Sequence, residues 1–249
     1  MLHSSHNIFS LSKPLHQSSF SEGCLLLVDK PLEWTSFDVV NKIRSKIKYI
    51  FKLPKIKVGH AGTLDPLATG LLIVCTGKYT RLINDMQDMT KEYEGLIYLG
   101  ETTPTYDRES EVHARFSIEH ITDNSIEEAC LQFKGPVMQQ PPVFSAIKIK
   151  GQKAYSLARR GENVEMKPRP VILHELVLKR EDMHTLFFKV HCSKGTYIRS
   201  LAHDLGKFLG SGAVLHQLRR TRIGDYPIKD AHSIDTIIQH MERNAPEDF

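Results

Sequence analysis

The residues best suited to chemistry lie in one run, Gly59-His60-Ala61-Gly62-Thr63-Leu64-Asp65-Pro66-Leu67-Ala68-Thr69-Gly70, which sets a single carboxylate among small, turn-forming residues. The glycines permit backbone angles and close approaches that larger residues cannot make, and Pro66 pushes Asp65 out of the helical region. A carboxylate presented in this way can act as a nucleophile or stabilise positive charge, provided that a cation within about 4 to 6 Å keeps it ionised. An Asx-type turn joining two elements is the alternative reading of the same residues. Directly after the run, Leu71-Leu72-Ile73-Val74-Cys75 is apolar and bounded by Gly70 and Gly77, which reads as a buried strand anchoring the loop.

Other chemistries fit less well. Thr76-Gly77-Lys78 suggests a phosphate loop, but six residues separate Gly70 from Gly77 instead of four, and Tyr79 stands where Ser or Thr is required. A glycosidase needs a pair of carboxylates, and Glu92, Glu94 or Asp107 could partner Asp65, although nothing in the spacing fixes such a pair. None of the 13 histidines and 4 cysteines falls at ligand spacing, so no metal is expected. The scattered cysteines read as reduced core residues of a cytosolic protein, and His191 beside Cys192 reads as strand alternation. No apolar run approaches membrane-spanning length, so no membrane partner is expected.

The elements that must position Asp65 can be traced along the 249 residues. A helix opens near Thr35 or Ser36, with Asp38 completing a capping box and Val39, Val40, Ile43 and Ile47 forming one apolar stripe. Tyr93, Gly95, Ile97 and Leu99 alternate with their neighbours as in a strand. Ser125 to Glu128 is a second capping-box sequence, and the helix it predicts stops at Gly135. Gln139-Gln140-Pro141-Pro142 breaks regular structure. Pro170 to Leu178 and Leu186 to Cys192 read as paired strands. Beyond Gly195, the set from Ile198 to Leu209 has helical spacing, with Tyr197 and Arg199 at its start and Gly210 as its cap. Met1 to Ser21 lacks acidic residues and a signal-peptide core, and reads with Glu22 as a disordered tail. Isolated helices among several hairpins predict a mixed α/β (α+β) domain with a largely antiparallel sheet.

Net charge is only +4, but it is unevenly placed. From Val39 to Leu64 the basic residues are Lys42, Arg44, Lys46, Lys48, Lys52, Lys55 and Lys57, with no acidic one. From Ile147 to Arg169, Lys148, Lys150, Lys153, Arg159, Arg160, Lys167 and Arg169 face only Glu162 and Glu165, and Arg219, Arg220 and Arg222 form a third cluster. Any one cluster suits a solvated face; three around one candidate site point to contact with a phosphate backbone.

The run around Asp65 resembles the catalytic motif of the TruB family, the bacterial tRNA pseudouridine synthases. The resemblance continues in Gly23 to Pro31, in Lys91-Glu92-Tyr93-Glu94, in Pro142 to Lys148 and in His191 to Arg199, in the family's order, from about Gly23 to about Pro227. It implies a pseudouridine synthase fold over residues 23–228, with helices flanking the sheet and a thumb insertion over about 135–161 that grips the RNA. Residues 229–249 are expected to form a short C-terminal helix and tail, too few for the PUA domain that family members commonly carry. Affinity is then expected to rest on the thumb and the basic clusters.

The reaction the resemblance implies is conversion of uridine to pseudouridine at position 55 in the T arm of tRNA, without a cofactor. Asp65 would be the catalytic aspartate, attacking the sugar or base covalently or assisting a glycal route, and Arg199 the cation that holds it ionised. Tyr93 would stack on the flipped base and could remove its proton. His60 would fill the space the nucleotide vacates, and Tyr197 and Leu218 would line the pocket. Lys30 and Lys194 are lesser candidates for substrate contact. No guide RNA or protein partner is implied, and a cytoplasmic monomer is expected. The competing reading is a non-catalytic tRNA-binding or RNA-chaperone protein on the same fold.

Overall fold

Side-chain alternation and capping set the layout of the chain. The computed structural model describes residues 7–149 and 151–246. Two compact units emerge, one from the described residues up to Glu92 with those from Arg219 onward, the other from Tyr93 to Leu218. The first unit begins with α1 (Gln17–Glu22), β1 (Leu25–Lys30), α2 (Ser36–Ile50), β2 (Val58–His60), β3 (Ala68–Thr76) and α3 (Ile83–Asp88). Strand β4 (Lys91–Leu99) carries the chain into the second unit. There follow β5 (Glu101–Thr102), β6 (Ala114–Arg115), α4 (Asp123–Phe133), β7 (Gly135–Gln139), β8 (Lys148–Ile149), β9 (Gln152–Lys153), α5 (Ala154–Arg159), β10 (Arg169–Arg180), β11 (Thr185–Cys192) and α6 (Ile198–Phe208). Strand β12 (Ala213–Ile223) returns to the first unit, which closes with β13 (Tyr226–Pro227) and α7 (Ile234–Arg243).

In the first unit β1 and β3 pair antiparallel, from Leu25 opposite Cys75 to Lys30 opposite Gly70. Both strands are buried on both faces, and their alternate residues feed two separate cores. Leu26, Val28, Leu72 and Val74 pack with Val39, Ile43 and Ile47 of α2 and with Ile237 and Met241 of α7. Leu25, Leu27, Leu71 and Ile73 turn the other way, toward Met86, Ile223 and Tyr226. Helix α2 starts as its sequence predicts: Thr35 accepts from the Asp38 amide at 3.0 Å, and Asp38 accepts from the Thr35 amide at 2.9 Å.

The expected disordered tail is corrected over its described residues. Ile8 bridges to Leu25, α1 is capped at His16, and Phe9, Leu15 and Phe20 are buried in the core shared by α2 and α7. Isolated apolar residues in a polar stretch carry no periodicity, so only the long-range contacts reveal that they are core. Residues 1–6 of that tail lie outside the described residues, as does Lys150 of the second basic cluster.

In the second unit β11, β10 and β7 follow β4 in the sheet, and β12 borders β4 on the other side. The β10–β11 and β10–β7 pairings are antiparallel, as the mixed α/β reading requires. Helix α4 begins three residues before its predicted start: Thr122, not Ser125, is the cap, and Ser125 supplies the reciprocal hydroxyl. Gly135, at φ +97°, ends the helix as expected and immediately starts β7. Because Gly135 to Gln139 is paired with Leu173 to Arg169, these residues belong to the sheet. The segment standing outside it therefore begins at Gln140, later than the predicted boundary of 135. It holds the β8–β9 hairpin and α5.

Candidate active site

Asp65 lies between β2 and β3, half-buried, in a loop whose main chain is held from several sides. Ser36, at the first turn of α2, accepts from the Leu64 amide at 2.8 Å and donates to the Leu64 carbonyl at 3.1 Å. Lys30, at the end of β1, is completely buried. Its Nζ donates to the carbonyls of Pro31, Trp34 and Pro66 at 2.8, 2.6 and 3.4 Å. On the far side Arg220 of β12 donates from Nε to the Leu71 carbonyl at 2.7 Å and from Nη2 to the Gly62 carbonyl at 3.1 Å. The loop is thus tied to β1, α2 and β12 at once.

Close backbone approach explains one glycine. Gly70 sits at φ +103°, and a Cβ there would fall 2.4 Å from the Arg220 carbonyl oxygen. Beside it, Arg219 forms a two-pronged pair with Asp29 at 3.1 and 2.7 Å. Burial pushes the Lys30 ammonium down to about 8, against the pull of Asp65 and with the push of Arg220. His60, on β2, has its pKa lowered by burial and then by Arg220, which favours the neutral ring.

In the second unit Arg199 lies in the first turn of α6 and is 5% exposed. Its Nη1 and Nη2 donate to the carbonyls of Thr105 and Phe144 at 3.2 and 3.1 Å, and its Nε lies 3.6 Å from Asp107 Oδ2. Asp107 is itself fixed by the Thr105 hydroxyl at 2.6 Å and the Glu109 amide at 3.0 Å. The start of α6 is clamped by Gln139, which accepts from the Tyr197 amide at 2.8 Å and donates to its carbonyl at 3.0 Å. The Arg169 guanidinium lies 5.0 Å from the centre of the Tyr197 ring, a cation–π arrangement. Tyr93 on β4 is buried, Leu218 on β12 half-buried, and Lys194 in the turn before α6 exposed.

Within the first unit the structure brings Lys30 within electrostatic reach of Asp65 and sets His60, at the end of β2, near Arg220; within the second it places Lys194, Tyr197 and Arg199 around the start of one helix. Of the carboxylates considered as partners for Asp65, Asp107 pairs with Arg199 and Glu92 with Arg222 at 3.1 Å. Sequence reasoning missed Ser36, Gln139 and the role of Arg220, whose hydrogen bonds span 28 to 158 positions. Arg220 stood out only as one of three neighbouring arginines. No group of three or more metal-ligating side chains is found among the described residues.

An antiparallel mixed sheet with an aspartate-bearing loop between two of its strands places the chain in a known structural class. A chain of the archaeal box H/ACA sRNP Nop10-Cbf5 complex superposes with a TM-score of 0.64 at 25% identity, covering 90% of this chain and 58% of that one. Residues 48–198 match the TruB family pseudouridylate synthase N-terminal domain, and residues 199–248 the tRNA pseudouridylate synthase B C-terminal domain. The chain belongs to the TruB family of pseudouridylate synthases. It is 52% identical to tRNA pseudouridine synthase B of Parabacteroides distasonis, over 91% of this chain and 96% of the relative. It is 51% identical to that of Flavobacterium johnsoniae, over 90% and 98%.

Proposed function

We propose that the protein isomerises uridine to pseudouridine at position 55 in the T arm of tRNA, acting as a cytoplasmic monomer without a guide RNA. Family membership and the names of its relatives support the reaction. The structural observation that carries the reading is the Asp65 loop, fixed through its main chain by Lys30, Ser36 and Arg220. No helix among the described residues is long and apolar enough to cross a membrane.

The chemistry balances within the substrate. The bond from N1 to C1′ breaks, the base turns, a bond from C5 to C1′ forms, the C5 proton leaves and N1 gains a proton. In this reading Asp65 attacks the sugar or base, or assists a glycal route, and Arg199 keeps it ionised. Tyr93 stacks on the base and accepts the C5 proton. Neutral His60 occupies the place of the extruded nucleotide, and Tyr197 and Leu218 wall the pocket, offsetting the lost base stacking. Lys30 acts on the loop from within the protein, and Lys194 adds positive charge at the rim. The segment from Gln140 to Gly161 grips the RNA arm.

Tritium release from tRNA transcripts labelled at uridine C5 tests the proposal, with the product mapped by carbodiimide primer extension. Release by the purified wild type alone, one stop in the T arm, and no release by Asp65→Asn despite retained binding are expected. Tight binding without release by the wild type would overturn it in favour of a binding protein.

A further inference from the structure

Of the basic run between Val39 and Leu64, Arg44 bonds Asn41 and Lys46 pairs with Glu242, while four exposed lysines lie on the outward side of α2 and its exit. Helix α2 turns Val39, Val40, Ile43, Ile47 and Ile50 into the core, and leaves Lys42 and Lys48 exposed on the outward side. Lys52 and Lys55 continue that basic surface just past the helix, also exposed. Two aromatic rings share it, Phe37 at 60% exposure and Tyr49 at 69%, about 18 Å apart along the axis. The acidic residue on that side, Asp38, is engaged in the cap at Thr35. The face starts at the active-site loop, because Ser36 is the residue that holds Leu64.

The helix exit adds an independent observation. The Leu53 amide donates to the Lys48 carbonyl at 3.1 Å, closing a Schellman-type turn that places Lys52 at φ +49°. That left-handed position normally takes glycine, and a side chain there costs roughly 1 to 2 kcal/mol. The helix dipole favours cations at Lys48 and Lys52. It accounts neither for Lys42 and Lys55 nor for two large rings turned to solvent.

We propose that the outward face of α2 and its exit, carried by Phe37, Lys42, Lys48, Tyr49, Lys52 and Lys55, is an RNA-binding surface. It tracks the phosphate backbone of the stem leading away from the target loop. The lysines neutralise phosphates without reading sequence, and the rings pack on sugars or on unpaired bases. The inference rests on the tRNA reading given above and assigns to that substrate a contact outside the catalytic pocket.

The test compares wild type with the combined variant Lys42→Ser, Lys48→Ser, Lys52→Gly and Lys55→Ser, using a full-length unmodified tRNA transcript across a salt series. If each lysine meets one phosphate, the slope of log affinity against log salt falls by about 3, and Kd rises about tenfold or more at moderate salt. Saturated turnover stays at the wild-type value. Thermal stability is unchanged or raised, since Lys52→Gly relieves the left-handed strain. Phe37→Ala with Tyr49→Ala should weaken binding without changing the slope. A combined variant with wild-type Kd and slope would overturn the proposal and leave the face to another polyanion. A slope difference between the two proteins, with no pseudouridine formed by the wild type, would instead overturn the reaction and leave the surface standing.

Discussion

The Ser36 hydroxyl satisfies both main-chain groups of Leu64, accepting from its amide at 2.8 Å and donating to its carbonyl at 3.1 Å. One side chain at a helix start thereby fixes the residue that precedes Asp65. Ser36→Ala leaves two buried polar groups without that partner and should cost about 1 to 3 kcal/mol. In the proposed mechanism saturated turnover should also fall about tenfold or more, while RNA affinity changes less than about twofold. Thermal unfolding and single-turnover kinetics on the same preparation check both.

Asp107→Ala should be the more damaging change in the second unit. It removes the buried carboxylate 3.6 Å from the Arg199 Nε, and removing one member of a buried ion pair costs roughly 3 to 5 kcal/mol. Asp107→Asn keeps the shape and the Thr105 contact, so most of the stability should return. Isomerisation should not, if the charge on Asp107 orients Arg199 for catalysis.

Lys30 gives a prediction about pH. Its folded pKa of about 8 lies below the ordinary lysine value of 10.5, so between those limits the unfolded chain holds a proton that the folded one has released. Stability from this group therefore rises as pH increases from about 8 to about 10.5. Relative to Lys30→Met, the wild type should gain unfolding free energy across that window in denaturant titrations. A flat difference would show that the ammonium stays charged in the fold.

Two glycines with similar backbone angles should respond differently to alanine. At Gly70 the added Cβ meets the Arg220 main chain at 2.4 Å, whereas at Gly151, φ +84°, nothing lies within 4 Å. Gly151→Ala should cost only the left-handed penalty, roughly 1 to 2 kcal/mol. Gly70→Ala should add a displacement of β12 and cost about 3 kcal/mol or more. Chemical denaturation of both variants makes the comparison.

Phe20 offers a check on the N-terminal segment. It is fully buried against Phe51, ring centres 5.0 Å apart, so Phe20→Ala should destabilise by about 3 to 5 kcal/mol. A disordered tail would give no change.

Local features were readable in the sequence because their causes are local. The Thr35 and Asp38 box, the apolar run of β3, the paired strands β10 and β11 and the cap of α6 at Gly210 each depend on residues a few positions apart. The start of α4 was misread because two boxes overlap, and Thr122 with Ser125 closes around the amides before Ser125 with Glu128 can. What holds the Asp65 loop was hidden for the opposite reason. A guanidinium that caps three carbonyls 149 to 158 positions away leaves no periodic trace. The same is true of Phe9 and Phe20, single apolar residues whose burial depends on partners elsewhere in the chain.

The path of the chain through the two units carries a consequence for synthesis. The second unit is one uninterrupted segment, whereas the first is assembled from both ends, with the Leu15 amide donating to Asn244 Oδ1 at 3.2 Å and His240 hydrogen-bonded to the Lys13 carbonyl at 3.0 Å. On the ribosome the second unit is complete while α7 is still unmade. The segment bearing Asp65 must therefore wait, with one face of β1 and β3 uncovered, for the last helix to emerge before its core can close.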